Sequence, residues 1–123
     1  MKKKQDNTRE KARRILQIAL AKKPEDPLTL DLRASGLIWD YFIMITANSS
    51  PHAKAIVSEL VKKSKEENIS IHHIEDDENG DWVLIDYFDV LLHLFSRERR
   101  EFYRIERLFK KARKVNFRFK KDP

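Results

Sequence analysis

The sequence predicts an α/β domain: a mixed five-stranded sheet covered by helices, in the order α-β-β-α-β-β-β-α. Three observations carry this. The chain has 123 residues, enough for one hydrophobic core and too few for two. Apolar residues recur at spacings of three and four in three segments, and they alternate or run together in five others. The two segment types interleave, which places helices over a sheet rather than beside one.

The elements follow in order. Ala12, Ile15, Leu16, Ala19 and Leu20 form one apolar stripe after Thr8, a candidate N-cap. A helix is therefore predicted over 8–22, stopped by Pro24 and Pro27. Leu28, Leu30 and Leu32 alternate with Thr29, Asp31 and Arg33, the period of a half-buried strand. Tyr41 to Ile45 is uninterrupted and apolar, as in a strand buried on both faces. Ser50 and Pro51 read as the N-cap and first residue of a helix running to Glu67, with Ala53, Ile56, Val57, Leu60 and Val61 on one face. Ile69 to Ile74 alternates as a short strand. The polar loop after it holds Gly80, available for a positive φ. Trp82–Asp86 and Asp89–Phe95 are two strands joined tightly at Tyr87-Phe88. A last helix is predicted over 98–114, with Phe102, Ile105, Leu108, Phe109 and Ala112 inward.

The net charge of +6 is unevenly spread. Residues 1–14 carry +5 and residues 97–121 carry +9, whereas residues 15–96 carry −7. Glu66 through Ser96 contains nine carboxylates and no Lys or Arg. Basic ends suit phosphate, but an acidic centre suits a basic protein. Residues 1–7 and 113–123 are expected as basic tails, flanking one domain over 8–112. No apolar run is long enough to span a membrane and no signal-like segment opens the chain, so a cytoplasmic location is expected.

Composition excludes much chemistry. The absence of cysteine rules out disulfides, cysteine-based zinc sites and cysteine nucleophiles. With only Gly36 and Gly80, no phosphate-cradling glycine loop can be written. His72 and His73 are strand neighbours pointing to opposite faces, and His52 is expected to be exposed. His93 lies four positions beyond Asp89, on the same expected face; a hydrogen-bonded or interfacial histidine outweighs a zinc ligand there. Asp86 and Asp89 read as turn-capping aspartates ahead of a metal-binding or acid–base pair. No catalytic residue, metal or cofactor is expected.

Three stretches, taken together, resemble one family. They are Leu30-Asp31-Leu32-Arg33 after Ala21-Lys22-Lys23, Asp40 to Ile56 with Thr46-Ala47-Asn48-Ser49-Ser50-Pro51-His52 at its centre, and Asp81 to Phe95 followed by Arg100 to Phe109. The third holds Trp82, Asp86, Asp89 and His93 in the pattern Trp-x-x-x-Asp-x-x-Asp-x-x-x-His, then Tyr103 and Glu106 as Tyr-x-x-Glu. The chain resembles the ribosomal silencing factor, or Iojap, family over residues 10–112. It departs from the family pattern at Ala47 and Phe88, where glycine is usual, near Glu75-Asp76, where a Glu-Gly pair is usual, and at Phe109, where tryptophan is usual. The resemblance implies a nucleotidyltransferase-like fold without the catalytic motif. It also implies binding to the large ribosomal subunit through ribosomal protein L-fourteen, so that the subunits cannot join and translation falls.

Trp82, Asp86, Asp89, His93, Tyr103 and Glu106 are the candidate docking residues, with Tyr103 and Glu106 three apart on one helix face. Lys110, Lys111, Arg113, Lys114 and Arg118 are candidates for peripheral contact with ribosomal RNA, along with Lys2 to Lys4 at the other end. Phe117 and Phe119 would stack on bases, or pack on the domain or on a second copy in a homodimer. Two alternatives stay open: an RNA-binding domain driven by its basic tails, and a magnesium-dependent nucleotidyltransferase relative using Asp86 and Asp89.

Overall fold

A computed structural model describes residues 4–77 and 81–119, with side chains from Asn7 onward. Lys2, Lys3, Gly80, Lys120 and Lys121 lie outside the described residues.

The elements are α1 (Lys4–Leu20), β1 (Glu25–Asp31), β2 (Tyr41–Ala47), α2 (Ser50–Glu66), β3 (His73–Asp76), β4 (Trp82–Asp86), β5 (Val90–Ser96), α3 (Arg97–Tyr103), a 3-10 turn (Ile105–Phe109) and β6 (Arg113–Val115). The predicted α/β architecture is present, with one more strand than expected. The six strands order as β3-β4-β5-β2-β1-β6. β2 and β5 pair in parallel, and their neighbours pair antiparallel.

Strand alternation divides the core between the two sheet faces. Ile43, Ile45, Val83, Ile85, Leu92 and Leu94 lie beneath Ile15, Ala19, Ile56 and Leu60 of α1 and α2. Leu30, Leu32, Phe42, Met44, Leu91 and Phe95 form the second face, covered in part by Ile105, Phe109 and Ala112. All seven residues of β2 are buried: the unbroken apolar run predicts this for Tyr41 to Ile45, and the strand continues through Thr46 and Ala47 beyond it.

Helix boundaries were only partly legible. Thr8 is not the cap of α1 but lies inside it, buried, with its hydroxyl donating to Asp89 Oδ2 at 3.1 Å. The cap of α2 is Ser49 rather than Ser50; its hydroxyl accepts from the His52 amide at 3.1 Å, one residue earlier than the Ser-Pro pair suggests. His52, expected to be exposed, is half-buried. Its Nδ1 accepts from the Asn48 amide at 3.0 Å, so Nε2 carries the proton and donates to the Lys22 carbonyl at 2.7 Å. The imidazole therefore ties the start of α2 to the end of α1. The strand expected over 69–74 forms later, at His73–Asp76, and is exposed throughout.

The C-terminal third departs most from expectation. The helix predicted over 98–114 stops at Tyr103, because Arg104 adopts φ +45. A left-handed non-glycine residue costs about 1–2 kcal/mol. Burial of Ile105 and Phe109 on the second face offsets that, and a continuous helix would carry both away from the sheet. Phe102, predicted inward, is 78% exposed, and Leu108 is 76% exposed. The expected loose tail is partly structured. β6 pairs with β1 through Thr29↔Val115 and Asp31↔Arg113, so the domain extends past residue 112. Beyond it, Phe117 and Phe119 pack against the core, with the Arg9 and Arg13 guanidiniums each 5.0 Å above their rings.

The β4–β5 turn holds the residue the family pattern gives as glycine. Phe88 sits at φ +79, so the turn keeps its glycine-type backbone with an aromatic side chain on it. The ring is 55% exposed, 4.8 Å from the His72 ring. Strain of this kind is worth about 1–3 kcal/mol, and glycine's extra unfolded-state entropy returns roughly 0.5–1 of it. Phe88→Gly is expected to raise unfolding free energy by about 1 kcal/mol in urea titration; a loss of stability would show that the Phe88 contacts outweigh the strain. Ala47, the other glycine departure, occupies ordinary strand backbone opposite Ser96.

Candidate docking face

β4 presents Trp82, Leu84 and Asp86 on its second-face side, because residues two apart share a face. Register sets Phe95 opposite Trp82 and His93 opposite Leu84 on β5, and Glu75 opposite Leu84 and His73 opposite Asp86 on β3. Tyr103, at the end of α3, lays its ring 5.0 Å from Trp82. An open groove runs along this edge, where Glu75, Asp76 and Asp77 line it with Trp82, Leu84 and Tyr103, and His73 and Arg99 line it too. The predicted Trp82 and Tyr103 therefore meet, and Asp86 shares their face of the sheet at the other end of β4.

Trp82 is both core and surface. Its ring lies 5.0 Å from Phe95 and its Nε1 donates toward His93 Nδ1 at 3.4 Å, yet the residue is only half-buried. Asp86 is the turn cap the sequence suggested: its Oδ1 accepts from the Phe88 amide at 2.7 Å, with Trp39 Nε1 at 3.5 Å. Trp39 also meets Phe42 edge-on at 5.9 Å and extends the aromatic face. Sequence reading missed Trp39, Leu84 and Glu75. Trp39 carried no periodic signal; Glu75 was a legible carboxylate, but its side of the sheet depended on a register that could not be assigned.

Three candidates depart from their expected roles. Asp89 precedes β5 in the turn, so strand alternation does not reach it. Its carboxylate turns to α1, where Lys11 Nζ donates to Oδ1 at 2.7 Å and to the Tyr87 carbonyl at 2.6 Å. Burial alone would raise the Asp89 carboxyl, but the Lys11 hydrogen bond and charge, with Thr8, hold it below its usual value. Asp89 thus shares a face with neither His93 nor Asp86, and the two aspartates do not form a carboxylate pair. Tyr103 and Glu106 do not share a helix face, since Arg104 breaks the helix between them. Glu106 turns inward, and its Oε2 accepts from Arg100 Nε at 3.2 Å. The same guanidinium reaches the Thr46 hydroxyl at 2.9 Å and the Asp26 carbonyl. Sequence pattern gave no hint of this Arg100 clamp.

His93 is 5% exposed, surrounded by Phe42, Trp82 and Phe95. Burial pushes its imidazole down to about 4. The unfolded chain binds a proton near pH 6.5 that the folded chain refuses until about pH 4. Stability is therefore complete above pH 6.5 and falls as pH drops through that window, by up to about 3 kcal/mol for this one group. His93→Phe keeps the aromatic packing and is expected to remove that share of the acid sensitivity. Urea titrations of both proteins at pH 7 and pH 4.5 measure it; equal losses on acidification would refute the assignment.

Among the described residues no three His, Cys, Asp or Glu side chains gather as a metal site, and no helix is long and apolar enough to cross a membrane. Lys110, Lys111, Arg113, Lys114 and Arg118 are all exposed. Lys110, Lys111 and Arg113 line a separate groove with Arg33 and Arg107. Lys114 lies opposite Leu30 in the sheet, and Arg118 belongs to the segment held on α1, where its carbonyl accepts from Arg13 Nη2 at 2.9 Å.

Fold and face together define a small mixed-sheet domain with a partly exposed surface of aromatic rings and carboxylates. Over residues 5–123 the chain matches the family described as ribosomal silencing factor during starvation, and it belongs to that family. It is 36% identical over 99 residues to the ribosomal silencing factor of Halalkalibacterium halodurans, covering 77% of this chain and 85% of that one. A mouse protein named mitochondrial assembly of ribosomal large subunit protein 1 is 33% identical over 73 residues, 57% of this chain and 32% of its own length. A crystal structure of a Bacillus halodurans protein superposes with a TM-score of 0.77 at 31% identity, covering 89% of this chain and 99% of that one. The family gives this chain a ribosome-associated silencing role, and its relatives are named as regulatory factors rather than enzymes.

Proposed function

We propose that the chain docks through its Trp82–Tyr103 face onto ribosomal protein L-fourteen of the large ribosomal subunit and thereby keeps the small subunit from joining. The observation that carries this reading is the Trp82–Tyr103 ring contact, 5.0 Å between centroids, beside Glu75, Asp76 and Asp77. A half-buried tryptophan on a strand, with an exposed aromatic ring laid beside it, is a usual anchor of an interface and loses little conformational freedom on binding. Carboxylates around them suit a partner rich in Lys and Arg, steering encounter and rejecting nucleic acid at that spot. The mouse relative's name places that protein with the large subunit. The mechanism is steric: a docked domain occupies volume that the other subunit needs, and the chain's own residues perform no bond chemistry.

The test is sedimentation with separated subunits, followed by light scattering of subunit reassociation. The chain is expected to travel with the large subunit alone, to bind isolated ribosomal protein L-fourteen one to one, and to slow reassociation. Asp86→Lys is expected to weaken both complexes more than tenfold. Binding to the small subunit, or unchanged affinity in that variant, would refute the reading.

A further inference from the structure

We propose that a second surface, the open groove between the turn after β1 and residues 107–113, holds the phosphodiester backbone of RNA. The inference rests on the ribosomal docking reading and adds a second contact to it.

Five cations, Arg33, Arg107, Lys110, Lys111 and Arg113, line this groove, and Asp31 is the one carboxylate among its described lining residues. Asp31 is already neutralised, since Arg33 donates to both its oxygens at 2.9 and 2.6 Å. That hydrogen bond holds the Asp31 carboxyl below its ordinary value, so the pair stays ionised. The groove thus carries a net charge of about +4, and Arg33 is fixed in place rather than free to swing.

The acidic face lies at the other end of the sheet. The order β3-β4-β5-β2-β1-β6 separates the two edges by five strand spacings, roughly 24 Å at about 4.8 Å each. That exceeds a Debye length of about 8 Å, so the carboxylates of β3 and the cations of β6 act independently and suit partners of opposite charge. Tyr103 and Arg107 bring the two surfaces closer between the edges. Polarity of this kind fits a particle that presents basic protein beside RNA.

The groove is built for backbone rather than bases. Phe109, the aromatic among its described lining residues, is turned onto Phe42 at 5.2 Å. Phe117 and Phe119, the other aromatics of this basic segment, are covered by Arg9 and Arg13. With no ring offered for stacking, contact is to phosphate and indifferent to sequence. Arg107, Lys110, Lys111 and Arg113 line one wall of a concave surface that a strand of phosphates can enter, whereas a flat anionic membrane meets only the rim.

The test uses the full chain and Lys110→Glu/Lys111→Glu, with Lys62→Glu/Lys65→Glu on α2 as a control of equal net charge. In low salt the unaltered chain and the α2 control are expected to bind a plain RNA duplex, and the groove variant to bind at least tenfold more weakly. On the large subunit, the groove variant is expected to lose affinity and to flatten the dependence of log K on log salt by about two. Its binding to isolated ribosomal protein L-fourteen should be unchanged. Failure of the unaltered chain to bind the duplex, equal loss in both variants, or groove-dependent capture by phosphatidylglycerol vesicles instead of RNA would overturn the inference. If only the duplex arm succeeds, the groove stands and the docking reading falls; if only docking succeeds, the reverse holds.

Discussion

Trp82→Ala is expected to weaken binding to the large ribosomal subunit by two to three orders of magnitude, about 3–4 kcal/mol. Trp82 joins three aromatic rings on the proposed docking face, lying 5.0 Å from both Phe95 and Tyr103 and 6.3 Å from His93. Its removal takes away the anchor and leaves Tyr103 without a platform. Because the ring also covers the second face of the core, the variant will lose stability as well, and affinity must be measured below its unfolding temperature. Tyr103→Ala separates the two effects. Tyr103 is 44% exposed, so its loss is expected to change stability by less than 1 kcal/mol while reducing affinity at least tenfold. Titration calorimetry with isolated large subunits gives both numbers. A Tyr103→Ala protein that binds normally would remove the aromatic face from the interface, whatever Trp82→Ala does.

Asp89 shows what the sequence could and could not convey. Its spacing from Asp86 and His93 was legible, but strand alternation fails at a turn with a positive φ, and that turn sends the carboxylate to α1. The central strands read correctly because β2 and β5 are apolar on both faces, a pattern that needs no register. β3 and β6 did not, since exposed edge strands of three or four residues carry almost no periodic signal. The site was half-legible for the same reason. Trp82 and Asp86 sit in a strand whose alternation fixes their common side, whereas Glu75 joins them only through pairing with Leu84. Tyr103 is helical as predicted, but it sits at the end of a helix that stops there instead of running on to 114. The 98–114 pattern has helical apolar spacing, and tertiary burial of Ile105 and Phe109 overrides it at Arg104.

That override depends on Arg100, and removing it is expected to have the largest effect on stability. Its guanidinium joins α3 to Glu106 of the 3-10 turn, to Thr46 of β2 and to the Asp26 carbonyl in the β1 bulge. Its side chain is 12% exposed and that of Glu106 is 30% exposed, so the pair is poorly screened. Arg100→Ala leaves the Glu106 carboxylate turned inward without this partner, a loss of about 3 kcal/mol. Glu106→Gln in the same chain removes the stranded charge and is expected to restore 1 kcal/mol or more of it, a coupling that a double-mutant cycle in urea reads directly. The amides of residues 105–112 should also exchange faster in Arg100→Ala, because the clamp holds that segment on the second face. Affinity for the large subunit is expected to fall as well, since α3 sets Tyr103 against Trp82. If Arg100→Ala loses less than 1 kcal/mol, or Glu106→Gln recovers nothing, then packing of Ile105 and Phe109 alone holds the segment. Glu106 would then return as a docking residue rather than a partner of the clamp.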